Sequence, residues 1–127
     1  MISVVVDAGA LIAIERDERS VIALLRIAHR AERPIRTNAN VVAQVWRDTR
    51  GRQAVLARAL ASIDVAAVLA ADGRAAGVLL GDNGSSDVVD ATIVGLLRNG
   101  DAIITSDPDA IQALLNTRRI NATIINC

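Results

Sequence analysis

The chain of 127 residues has no net charge, and 52% of its residues are hydrophobic against 22% charged. This balance excludes a disordered chain, and it excludes a protein that attracts nucleic acid through a strongly basic overall field. The length predicts a single domain over residues 1–127, large enough to bury a core. All 14 positive charges are arginine and Trp46 is the only aromatic residue, so aliphatic side chains must build that core.

Features that would place the protein in a membrane or an oxidising compartment are not expected. No apolar run is long enough to span a bilayer. Asp7 interrupts the first apolar run, so no signal peptide is predicted. The single cysteine, Cys127, has no partner for an internal disulfide. We therefore expect a soluble, cytoplasmic protein.

The first half of the chain begins with a predicted buried strand. The run from Ile2 to Val6 is apolar on both faces, as strands of parallel sheets are, and Asp7 follows at its carboxyl end. The elements expected next are helices over 10–15 and 18–31, a strand over 35–37, a helix capped by Thr37 or Asn38 and continuing to Trp46, a polar, basic break over 47–52, a helix over 53–62 and an edge strand over 63–66.

The second half continues the alternation of helices and strands. The expected elements are a helix from Asp72 to Leu80 closed by Gly81, a turn over 82–84, a helix over 87–97 capped by Ser85 or Ser86, a strand over 101–105, a helix opened by Ser106-Asp107-Pro108 and reaching Leu115, and a strand over 121–126. Such alternation predicts an α/β fold with one parallel sheet of about five strands wrapped by helices.

Four aspartates occupy informative positions in this pattern. Asp7 and Asp107 each follow a predicted strand, and the carboxyl ends of parallel strands meet at one edge of a sheet. Asp87 and Asp90 are three residues apart and share one helix face. Converging carboxylates repel each other unless a cation lies between them, and oxygen ligands suit Mg²⁺ or Mn²⁺. Histidine and cysteine are too scarce for a zinc site.

Each of these acids also has a purely structural explanation. Asp7 and Asp107 are suited to cap helices, and Asp87 falls in a first helical turn, where the helix dipole favours an acid. Asp90 is harder to explain in this way, because it lies within the apolar run 88–94, where an unpaired buried carboxylate is costly. The arginines at 47, 50, 52 and 58 form either a solvated face or a patch that contacts phosphate.

Three motifs together resemble the PIN-domain ribonucleases. They are Val-Val-Val-Asp7-Ala-Gly-Ala-Leu-Ile at the start, Ser86-Asp87-Val-Val-Asp90-Ala91 in a late helix, and Ile-Ile-Thr105-Ser106-Asp107 after a late strand. Within that family the chain is most similar to the VapC-like toxins of bacterial toxin–antitoxin pairs. The resemblance covers essentially the whole chain and implies a PIN-like fold.

The resemblance also implies a site. By motif, Asp7, Asp90 and Asp107 match three of the family's metal-binding and catalytic acids. The family's glutamate position falls in Val41-Val42-Ala43-Gln44-Val45-Trp46, so this chain has Gln44 there. Glutamine offers a carbonyl oxygen to a metal but no charge, and it cannot act as a base. We hypothesise that Asp87, one turn from Asp90, restores the missing charge.

What the resemblance implies is an Mg²⁺- or Mn²⁺-dependent endoribonuclease toxin with an RNA substrate. It implies a cognate antitoxin whose arginine-bearing tail reaches the acidic site, and a homodimer, with the apolar surface of the early helices serving one of these contacts. An alternative is a catalytically weakened PIN-like module that binds RNA or regulates, marked by Gln44. A receiver-like phospho-acceptor domain is disfavoured, because Asp7 has no acidic neighbour and the chain has no lysine.

Overall fold

The computed structural model describes residues 2–47 and 49–127. Five strands are present in this part of the chain: β1 (Val4–Val6), β2 (Ile35–Asn38), β3 (Asp64–Ala66), β4 (Ala102–Thr105) and β5 (Thr123–Asn126). The helices of the same part are α1 (Ala8–Glu15), α2 (Arg19–Arg30), α3 (Ala39–Val45), α4 (Ala54–Ala61), α5 (Ala70–Asn83), α6 (Val88–Leu96) and α7 (Pro108–Arg118), with a short 3₁₀ turn at Thr49–Gly51.

The five strands form one sheet in the order β3-β2-β1-β4-β5, and every pairing is parallel. The chain runs from β1 outward through β2 to β3, and then returns across β1 to β4 and β5. The strand order therefore reverses between β1 and β4. The crevice beyond the carboxyl ends of the strands at such a switch point is where open α/β sheets bind their ligands.

Helices cover both faces of the sheet. α1 packs against α2, α3 and α4, whereas α5, α6 and α7 pack against one another. Because crossovers between parallel strands are right-handed, the reversal after β3 places the second group on the opposite face. Aliphatic side chains fill the core between these layers, and Val5, Val6, Ile103 and Ile104 of the two central strands are completely buried. The expected α/β architecture with about five parallel strands is confirmed.

The observed elements begin or end up to three residues from the predicted bounds, as α7 does at Arg118 in place of Leu115, and two of the predicted caps are wrong. The helix expected to close at Gly81 continues to Asn83, and Gly84 ends it with a φ of 79°. The next helix is capped by Asp87, whose carboxylate accepts a hydrogen bond from the backbone N–H of Asp90, and not by Ser85 or Ser86. Among the described residues, no helix is both long and apolar enough to cross a membrane.

Candidate active site

Asp7 lies at the switch point, directly after β1. It is 7% exposed, and its Oδ1 accepts a hydrogen bond of 3.0 Å from the backbone N–H of Ala10, so it caps α1. Burial raises the pKa of Asp7, while hydrogen bonds from the Thr105 side chain and from backbone N–H groups, including those of Gly9 and Ser106, oppose that rise. The carboxylate is thus desolvated but held in place by donors.

Thr105 joins Asp7 to Asp107. The register pairs Val6 of β1 with Ile104 of β4, so the residues that follow, Asp7 and Thr105, are neighbours at the edge of the sheet. The Thr105 hydroxyl hydrogen-bonds to the Asp7 carboxylate and accepts a 3.0 Å hydrogen bond from the backbone N–H of Asp107. This fully buried hydroxyl therefore fixes the relative positions of two predicted site residues.

Asp107 and Asp87 also cap helices. The Oδ1 of Asp107 accepts from the backbone N–H of Ala110 at 3.3 Å, and the Oδ1 of Asp87 accepts from that of Asp90 at 2.9 Å. Asp7, Asp87 and Asp107 each place the N-terminus of a helix, α1, α6 and α7, beside their carboxylates. The partial positive charge of these helix ends offsets part of the repulsion between the acids.

Asp90 differs because its carboxylate caps no helix. It is half-buried in the first turn of α6. Burial, followed by the negative charges of Asp87, Asp7 and Asp107, raises the pKa of Asp90 to about 6. The other three acids of the predicted site are therefore close enough to Asp90 to raise the pKa of its carboxyl group.

Among the described residues, no basic side chain forms an ion pair with these four acids. The ion pair found among the described residues joins Arg36 on β2 to Asp64 on β3, at 3.5 Å. Yet within residues 2–47 and 49–127, no three acidic, histidine or cysteine side chains are spaced to hold a metal ion unaided. Carboxylate oxygens in this arrangement fit a hard divalent cation that keeps much of its hydration, because Mg²⁺ commonly binds through one or two carboxylates and several waters.

Gln44 is not joined to this cluster. It lies in the last turn of α3 and is exposed, and no hydrogen bond connects it to the four aspartates in the described chain. The predicted glutamate-equivalent position is thus occupied by a neutral side chain without a fixed partner among these residues.

One close approach at the site was not anticipated. A Cβ on Gly9 would lie 2.6 Å from the Cβ of Ser106, so only glycine fits where α1 begins beside the turn after β4. No local sequence pattern signals this contact, because Gly9 and Ser106 are distant in the chain. The absence of a side chain at Gly9 allows the turns that carry Asp7 and Asp107 to approach each other.

Comparison with known proteins agrees with this fold. No family model matches the chain, and no curated protein is similar in sequence. A search of solved structures finds a chain of VapBC2 from Rickettsia felis, solved bound to a DNA fragment from the proteins' promoter, with a TM-score of 0.70. The chain shares the fold of VapBC2. The match covers 100% of this chain and 99% of the VapBC2 chain, at 15% sequence identity.

This likeness confirms the PIN-like fold that the three motifs predicted. At 15% identity it concerns the fold alone. The roles of Asp7, Asp87, Asp90, Asp107 and Gln44 remain predictions.

Proposed function

We propose that the protein is a divalent-metal-dependent endoribonuclease that acts as the toxin of a toxin–antitoxin pair. The observation that supports this most directly is the meeting of four aspartates near the switch point of the sheet with no ion pair to a basic side chain in the described part of the chain. Clustered carboxylates repel one another and so lower the stability of the fold. Such clusters are typical of sites that bind a cation or stabilise a developing positive charge. The fold shared with VapBC2 is consistent with this assignment.

In this proposal Asp7, Asp90 and Asp107 bind Mg²⁺ or Mn²⁺, directly or through water, and Asp87 adds charge to the same site. The metal, when bound, would activate an attacking water and stabilise the charge that develops on the phosphate. Thr105 would hold the Asp7 carboxylate and the backbone of Asp107 in fixed relative positions through its hydrogen bonds to both. The three helix N-termini around the acids would orient the RNA phosphate and favour its negative charge.

The proposed partners are RNA, a cognate antitoxin and a second copy of the chain, in the cytoplasm. VapBC2, which shares the fold, is a complex bound to promoter DNA. An arginine of an antitoxin would bring to the acidic site the positive charge that the described part of this chain does not supply there. Ile12 of α1 and Ile27 of α2 expose apolar surface, and Ile27 is 62% exposed, so the early helices offer an area for one of the protein contacts.

Gln44 favours a second candidate, an RNA-binding or regulatory module with weakened catalysis. A neutral, exposed side chain at this position adds neither charge nor a general base to the four aspartates. The two candidates differ in a measurable quantity, the rate of RNA cleavage with Mg²⁺.

The test measures cleavage of structured RNA by the purified protein with Mg²⁺ and with a chelator. We expect Mg²⁺-dependent cleavage, with losses of about a hundredfold or more for Asp7→Asn and Asp90→Asn, because each removes a charge from the metal site. Asp109→Asn is the matched control, since Asp109 is an exposed acid in the first turn of α7 with no hydrogen bond within the described chain.

Gln44→Glu separates the two candidates. If the wild-type protein does not cleave but Gln44→Glu does, the weakened module is the correct function. Equal cleavage by the wild type and Asp90→Asn would refute the assigned site.

A further inference from the structure

A small cavity lies beside the candidate active site and has no part in the mechanism above. It has a volume of about 90 Å³ and is bordered by β2, α5 and α6. From its lining we propose that this cavity receives the hydrogen-bonding edge of one unstacked nucleobase of the RNA substrate. The ligand's identity as RNA rests on the proposed function, whereas the cavity's preference for a base-like molecule is argued from its own side chains.

Asn38 supplies the decisive polar group. It is 3% exposed and lines the cavity, and its Oδ1 is already used, because it accepts a 3.0 Å hydrogen bond from the backbone N–H of Val41. Among the described residues the side-chain hydrogen bond of Asn38 uses only Oδ1, and no buried side-chain nitrogen or oxygen lacks a partner, so the Nδ2 amide group faces accessible space. Asn38 can therefore donate two hydrogen bonds to a ligand. These donors favour a ligand with a hydrogen-bond acceptor and disfavour an ammonium or guanidinium group.

Asp72 supplies the complementary group at the same cavity. Its Oδ2 accepts a 2.8 Å hydrogen bond from the backbone N–H of Leu69, which leaves Oδ1 as an acceptor. A carboxylate at the rim repels phosphate and other anions. A ligand that satisfies both side chains is therefore neutral and carries a hydrogen-bond acceptor and a donor, as the edges of nucleobases do.

The remaining walls suit a flat ring. They are formed by small or aliphatic residues, namely Ala67, Val68, Ala75, Gly95 and Leu96. Thr92 completes the lining, but its hydroxyl is already engaged, since it donates to the carbonyl of Val89 and accepts from the Nδ2 of Asn40. The specific contacts are thus left to Asn38 and Asp72.

Two elements, α6 and β2, link the cavity to the candidate active site. Thr92 is two residues beyond Asp90 on α6, so the cavity and the carboxylate lie on opposite flanks of that helix. On the other side, Thr37, next to Asn38, donates a 2.8 Å hydrogen bond to the carbonyl of Val6, next to Asp7. An RNA strand that passes over α6 and the end of β2 would therefore bring a phosphate to the acids and a neighbouring base to the cavity.

The test is an NMR titration of the full ¹⁵N-labelled protein with each of the four nucleoside monophosphates, in the presence of a chelator. We expect at least one of them to shift the side-chain amide of Asn38 and the backbone amide of Gly95. Ribose 5-phosphate, which has the sugar and phosphate but no base, should leave these signals unchanged. Omitting metal makes the result independent of RNA cleavage, so a failed nuclease assay and a failed titration remain distinguishable.

Three variants locate the bound base. Asn38→Ser keeps an oxygen that can cap α3 but removes the amide donors, and we expect it to weaken binding about threefold to tenfold. Gly95→Ala narrows the cavity while favouring the helix, so it should weaken binding without loss of folding. Gly81→Ala adds the same methyl group to an exposed part of α5 outside the cavity, and it should bind like the wild type.

Three results would overturn the inference. The first is an equal response to ribose 5-phosphate, which would assign the binding to the phosphate. The second is the absence of any shift at Asn38 and Gly95 with all four nucleotides. The third is wild-type affinity in both Asn38→Ser and Gly95→Ala.

Discussion

At the scale of single residues, structural and functional explanations of an acid are compatible. As the alternative to a role in the site, the sequence offers helix capping for Asp7 and Asp107 and a favourable first-turn position for Asp87. All three do cap helices, each through its Oδ1 atom. Capping uses one oxygen of each carboxylate, so the other oxygen of Asp87 and of Asp107 stays available to a cation or to water, whereas the Asp7 carboxylate also accepts hydrogen bonds from Thr105 and backbone N–H groups.

Asp90 yields a prediction about pH. Its pKa is raised from 3.8 to about 6 in the folded protein, so the folded state binds more protons than the unfolded chain between these values. The stability of the metal-free protein should therefore fall as the pH rises through this window, and Asp7 contributes in the same direction. Asp90→Asn should raise Tm by roughly 2–5 °C at about pH 7.5, once screening at this half-exposed site is allowed for.

Thermal unfolding followed by circular dichroism in the presence of a chelator measures this effect. Near pH 4, where Asp90 of the folded wild type is protonated and therefore as uncharged as the asparagine of the variant, the two Tm values should converge. A Tm for Asp90→Asn at or below that of the wild type at about pH 7.5 would show that the acids do not strain the fold.

Thr105 yields a second prediction at this scale. Thr105→Val keeps the shape of the side chain but removes the hydroxyl that bonds to Asp7 and accepts from the N–H of Asp107. The buried carboxylate of Asp7 would lose a donor, and the partly buried N–H of Asp107 would lose its acceptor. We therefore expect the free energy of unfolding to fall by about 1–3 kcal/mol. Urea denaturation measures it, and Thr105→Ser, which restores the hydroxyl, should recover most of the loss. Equal losses in the two variants would attribute the effect to packing.

At the scale of elements, α5 shows why helix ends are hard to predict. Gly81 was expected to end the helix, yet it lies inside α5, and Gly84 adopts the left-handed conformation three residues later. A glycine inside a helix costs up to about 1 kcal/mol, which packing can outweigh. Here Ala76 and Leu79 bury one face of α5 against α6 and α7, a contribution that the local sequence does not reveal.

These two glycines give a matched pair of variants. Gly81→Ala should stabilise the protein by about 0.5–1 kcal/mol, because Gly81 is helical and a Cβ there meets open space. Gly84→Ala should destabilise it by about 1 kcal/mol, because its φ is 79° although space is equally open. Chemical denaturation distinguishes the two signs. The same sign for both variants would contradict the observed end of α5.

At the scale of the whole molecule, the site exists because the strand order reverses between β1 and β4. The apolar runs of the sequence are sufficient to predict that Asp7 and Asp107 each follow a strand. The residues alone do not predict that those strands are neighbours, since β1 and β4 are separated by nearly a hundred residues. The resemblance to PIN domains supplied this adjacency. The contact of Gly9 with Ser106 and the hydroxyl bridge of Thr105 depend on the same adjacency and became visible only in the structure.

The uncompensated charge of this arrangement predicts how the folded protein responds to metal. A ligand that binds only the native state stabilises it, and a divalent cation beside Asp7 and Asp90, whose pKa values are raised by burial, should offset the cost of ionising them. We expect Mg²⁺ to raise the Tm of the wild type in a concentration-dependent way at about pH 7.5, beyond the effect of Na⁺ at matched ionic strength.

Asp90→Asn should reduce that rise in Tm, whereas Asp109→Asn should preserve it. Gln44→Glu should increase the rise if residue 44 belongs to the site, and should leave it unchanged if α3 holds that side chain away. A wild-type Tm that responds to Mg²⁺ only as it does to Na⁺ would rule out the proposed metal site, whatever the outcome of the RNA assay.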